Sequence, residues 1–78
     1  MKNEDLYLKF VRWSEPDHLY VGYCPDLFPW GGVCHADKED DTYRQLCLLV
    51  QEEVEQLQKD GKELPQPSTR PRRDVLTV

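Results

Sequence analysis

From residue 5 the chain alternates. Leu6, Leu8 and Phe10 fall on one side of an extended backbone, and Tyr7, Lys9, Val11 and Trp13 fall on the other. A period of two over DLYLKFVRW predicts a first β-strand at residues 5–13. The turn residues SEPD follow at 14–17, and HLYVGYC at 18–24, rich in aromatic side chains, predicts a second strand that closes a hairpin. Pro25 fixes its own φ and holds Cys24 extended, so that strand should end there. Pro29, Gly31 and Gly32 turn the chain again, and GVCHA at 32–36 is long enough for a third short strand antiparallel to the second. After Asp37 the apolar spacing changes to threes and fours, with Tyr43, Leu46, Cys47, Val50, Val54 and Leu57 on one stripe. This predicts a helix over residues 38–60, about 34 Å long. Asp37 and the acidic residues after it suit the positive end of the helix dipole, and Gly61 suits the stop.

Pro65, Pro67 and Pro71 exclude a helix or a sheet interior between residues 63 and 73. That segment reads as a proline-rich linker after a core domain at 1–62, and DVLTV at 74–78 reads as a final strand completing the sheet or an oligomer. The order is β-β-β-α-β, an α+β fold with a small antiparallel sheet and one long helix on one face.

Counting faces has a consequence for assembly. One helix covers one face of such a sheet, yet Tyr7, Val11 and Trp13 put apolar side chains on the second face of the first strand. Leu48 also stands off the helix stripe, among Glu52, Glu55 and Lys59. Burying side chains of this kind is worth roughly 1.5–3 kcal/mol each, and a chain this short has little core to spare. A homo-oligomer that buries Tyr7, Val11, Trp13 and Leu48 is therefore the expectation.

Charge changes the picture along the chain. A net charge of −5 argues against general affinity for nucleic acid, which depends on basic contacts to phosphate. Residues 37–63 carry nine acidic against four basic side chains, whereas Arg70, Arg72 and Arg73 cluster near the C-terminus. Those three arginines are either a solvated linker or a nucleic-acid contact, and three are fewer than the dense basic runs that mark one. The three cysteines, Cys24, Cys34 and Cys47, cannot form a closed set of disulfides, which fits a reducing cytoplasm. No signal-like start and no membrane-length apolar run is present, so a soluble, unsecreted protein is expected.

Candidate chemistry is sparse. Cys24, Asp26, Cys34 and His35 are all types that ligate zinc, but the chain lacks a paired C-x2-C, and strand neighbours Cys34 and His35 point to opposite faces. A thiol nucleophile needs a nearby histidine, and His18 lies at the other end of the strand that Cys24 ends. Asp26 suits a turn better than a general base. The run DKEDD at 37–41 lacks the glycine and register of a calcium loop. No cofactor, no metal and no catalysis are expected.

The stretch YVGYCPDLFPWGGVCHADKEDDTYRQL, residues 20–46, resembles the HicB-like antitoxin family. The likeness lies in Pro25-Asp26-Leu27 at the end of an aromatic strand, Gly32 with Cys34 at the corner, and Thr42 at the helix start. LPQPS at 64–68 matches the family's usual exit from the helix. The resemblance implies a partial ribonuclease-H-like β-β-β-α-β fold without a full set of catalytic acids. It further implies a cytoplasmic module that neutralises a small HicA-like ribonuclease toxin, here without the family's separate DNA-binding extension. Phe28 and Trp30 enlarge a corner that the family keeps short, and Arg44-Gln45 replaces its usual acidic pair. Those aromatics either pack over the core or stand out as partner anchors. With Asp37, Glu39, Asp40 and Asp41 they form the expected partner surface, in which charge steers and aromatics anchor. The rival reading is a stand-alone oligomeric domain that touches nucleic acid weakly through Arg70, Arg72 and Arg73.

Overall fold

In a computed structural model, described over residues 3–67, three strands and one helix follow a short 3-10 turn at Asn3–Leu6. The strands are β1 (Phe10–Ser14), β2 (Leu19–Tyr23) and β3 (Cys34–Ala36), antiparallel in the order β1-β2-β3, and the helix α1 is Glu39–Lys59. The α+β class and the β-β-β-α order expected from the sequence are present. The final strand expected at 74–78, most of the proline-rich segment, and Arg70, Arg72 and Arg73 lie outside the described residues.

The first strand begins later than its alternation suggests. Phe10 pairs with Tyr23, and beyond Tyr23 the partner chain turns away, with the Leu27 and Phe28 amides both donating to the Cys24 carbonyl at 3.2 and 2.8 Å. Residues 5–9 therefore have no ladder to join. β2 likewise starts at Leu19, because His18 sits at a φ of 53°, in the left-handed region that ends the hairpin turn. Ser14 Oγ donates to Asp17 across that turn at 2.9 Å.

Register decides which face the helix covers. Paired residues share a face, so Val11, Gly22 and Cys34 lie together, as do Trp13, Tyr20 and Ala36. A Cβ added at Gly22 would meet Cys34 Sγ at 2.9 Å and Leu46 Cβ at 3.3 Å, so this is the face under α1. Phe10, Arg12, Leu19, Val21, Tyr23 and His35 form the opposite face, where Phe10 stacks on Tyr23 with ring centroids 5.0 Å apart. The expected assignment of Val11 and Trp13 to an uncovered face is thus inverted. Small residues at Gly22, Cys34 and Ala36 let the helix approach that face closely.

β3 is too short to floor the whole of a helix about 31 Å long. The second half of that floor comes from outside the sheet: Tyr7, Cys24, Leu27 and Phe28 form one buried cluster with Leu46, Val50 and Val54. Tyr7 is only 4% exposed, and its hydroxyl donates to the Pro65 carbonyl at 2.6 Å. This corrects its expected place on a self-association face. Leu64 packs against the same cluster, so the segment after the helix begins as a strap on the core.

The helix ends are built differently from each other. Lys38, with no capping side chain, occupies the N-cap position expected of Asp37, and Thr42 closes the turn by donating from Oγ1 to the Lys38 carbonyl at 2.8 Å. Glu39, Asp40 and Asp41 occupy the first turn, where the dipole favours negative charge. At the C-terminus Gly61 has a φ of 72°, its amide donates to Gln58, and the Lys62 amide donates to Leu57. That pair of bonds is a Schellman closure.

Candidate functional site

The corner between β2 and β3 is architecture underneath and surface on top. Cys24 is fully buried, Leu27 nearly so, and Phe28 is 9% exposed within the core cluster. Two residues later Trp30 is 74% exposed, the most accessible large apolar side chain described. Its ring stands edge-on to Phe28, with centroids 5.5 Å apart and planes at 77°. Pro29 separates the two, and Gly31 at a φ of 121° takes a conformation that other residues rarely adopt. Gly32 then passes so close to β2 that a Cβ there would meet Val21 Cγ1 at 2.7 Å. Phe28 is therefore a core residue, and Trp30 stands exposed with its ring against it.

The acidic residues expected beside this corner line two grooves, neither of which includes Phe28 or Trp30. The corner leaves the Tyr23 end of β2, whereas α1 begins after Ala36, which pairs with Tyr20 toward the other end of the sheet. Glu39 and Asp40 line a groove with Phe10, Val11 and Tyr43 on the β1 side of the helix. Asp37 and Asp41 line a second groove on the β3 side with Lys38 and Arg44, where Asp41 lies 3.7 Å from Arg44. The structure thus separates one expected surface into three places.

The remaining expected self-association residues are also dispersed. Val11 is half-buried on the helix face. Trp13 remains 47% exposed at the far end of that face, packed edge-on to Tyr20 and bonded through Nε1 to Glu15. Leu48 is 55% exposed on the β3 side of α1. The sequence named His35 as a metal-ligating type and Arg44 as a departure from the family pattern, but placed neither of them, nor Ala36, beside Leu48. The one available signal was Arg44 four residues before Leu48, which is one helical turn.

The thiols are poorly suited to nucleophilic chemistry. Burial pushes the Cys24 thiol up, against a lowering hydrogen bond from the Leu27 amide, while Asp26 raises it further. Burial also raises Cys34, whose Sγ donates to the Thr42 carbonyl. Both stay protonated at neutral pH, and all three cysteines are free. Cys34 lies on the helix face and His35 on the opposite one, so they do not converge. Among the described residues no group of three or more His, Cys, Asp or Glu side chains is placed to hold a metal ion. No described helix is long and apolar enough to cross a membrane. No known family profile, curated protein or solved structure matches the chain.

Proposed function

We propose that this chain is a non-catalytic, cytoplasmic protein-binding module of the HicB-like antitoxin type, which captures and neutralises a small basic ribonuclease toxin of the HicA-like kind. The observation that carries this reading is Trp30: an indole left 74% exposed on a loop whose preceding aromatic, Phe28, is fixed in the core. An anchor held by a buried neighbour loses little freedom on binding, which is the property of an interface hot spot. The net charge of −5 would draw a basic partner toward the surface from a distance, and the separated acids at Glu39, Asp40, Glu52 and Glu55 spread that attraction along the helix.

The test is inhibition of a purified HicA-like ribonuclease by the purified chain, with binding followed by calorimetry. Trp30→Ala should weaken the complex by at least about 2 kcal/mol, roughly 30-fold, while leaving the thermal transition in place. A toxin that remains fully active with excess chain, or one bound equally by the variant, would remove this reading.

A further inference from the structure

We propose that β3 is a dimer edge, joining a second copy of this chain through an antiparallel β3–β3 contact in which Leu48 of each protomer seats on the other. Three observations point there. β3 pairs with β2 on one side only, so among the described residues its outer edge carries no strand. Beside that edge runs a groove of about 590 Å³, lined by Leu19, His35 and Ala36 at the margin of the sheet and by Leu48 of α1. Leu48 is 55% exposed and lines the same groove as Ala36 of β3.

The charges of the groove favour a copy of the chain over any strongly charged partner. Its rim holds Asp37 and Asp41 against Lys38 and Arg44, a neutral set, whereas the chain as a whole is strongly acidic. A two-fold axis presents the same patch on both protomers. Arg44 of one copy then faces the rim carboxylates of the other, and the 3.7 Å pair that Arg44 makes with Asp41 has a ready substitute across the axis. With the axis through the middle of β3, the two sheets become one of six strands, both helices lie on the same side, and the flanks carrying Leu48 meet.

The described end of the chain lies away from this edge. Pro65 is tied to Tyr7 on the approach to β1, at the opposite edge of the sheet. The proposal is independent of the toxin reading, which uses Trp30 at a different place.

Sedimentation equilibrium of the full chain across micromolar to millimolar concentrations tests it. A species of about twice the 9.2 kDa chain mass should form. Leu48→Glu, at an exposed helix position that tolerates polarity, should raise the dimer dissociation constant at least about tenfold with an unchanged helical spectrum. Arg44→Asp should weaken the dimer, and adding Asp41→Arg should restore it, since the swap keeps complementarity across the axis. A wild-type chain that stays monomeric throughout would overturn the proposal. So would a dimer indifferent to Leu48→Glu, or one lost on removing residues 68–78 and so held by that segment instead.

Discussion

Tyr7→Phe removes one oxygen atom and tests the bond that holds the two ends of the described chain together. The hydroxyl donates at 2.6 Å to the carbonyl of Pro65, and the ring is 4% exposed within the cluster that floors the second half of α1. Phenylalanine keeps the ring and its burial, so the loss is that of the hydrogen bond and of the carbonyl left behind. A neutral bond contributes about 0.5–1.5 kcal/mol net, and a buried polar group left unpaired costs about 1–3 kcal/mol. Pro65 is only half-buried, so water can reach its vacated carbonyl, and the expected destabilisation is about 1–2 kcal/mol. In a domain of this size that lowers the melting temperature by roughly 4–8 °C per kcal/mol. Circular dichroism melts and urea titrations measure it directly. The burial of the same phenol predicts an alkaline signature. Burial, then the nearby Asp26 and Cys24, hold the Tyr7 phenol above its ordinary range. A group whose folded pKa is raised contributes stability that is complete below its unfolded value, about 10 for tyrosine, and lost as pH rises through the folded value. Cys24 and Cys34, also raised by burial, begin the same kind of decline at lower pH. Tyr7→Phe should therefore flatten the part of the decline above pH 10 and leave the earlier part unchanged. A variant as stable as wild type, with the same alkaline slope, would refute both the bond and its role as a strap.

Two glycines give further outcomes. Gly22→Ala places a methyl 2.9 Å from Cys34 Sγ and 3.3 Å from Leu46 Cβ, so it should cost about 1–3 kcal/mol by overpacking in a urea titration, with Cys34→Ala restoring part of that loss. Gly61→Ala meets no atom within 4 Å but must hold a φ of 72°, so a loss of about 1–2 kcal/mol in the same assay would come from the backbone alone, and melting unchanged from wild type would show that the Schellman closure is dispensable.

The helix was legible in the sequence almost to the residue, at 38–60 against Glu39–Lys59, because its stripe and its stop are both local properties. The strands were legible as elements but less so at their ends, where the signals are not local. DLYLKF alternates as well as any strand, yet an alternating segment becomes a strand only if a neighbour runs alongside it, and the Cys24–Phe28 turn removes that neighbour at Tyr23. Tyr7 escaped for a related reason: its partner at Pro65 is 58 positions away, and no spacing rule reaches that far. The face assignment failed differently. Alternation yields two faces without saying which one the helix takes, and Val11 and Trp13 were expected on the uncovered one. Helix approach is limited by side-chain size as well as apolarity, and the face with Gly22, Cys34 and Ala36 in register is the one with room. The same reasoning explains why the expected binding surface divided. Phe28 and Trp30 are two residues apart and equally aromatic, but one lies within the turn that closes on Cys24 and the other lies past Pro29, outside it. The sequence distance between the corner and the acidic helix start is short, yet β3 stands between them, and three extended residues carry the chain roughly 10 Å toward the other end of the sheet.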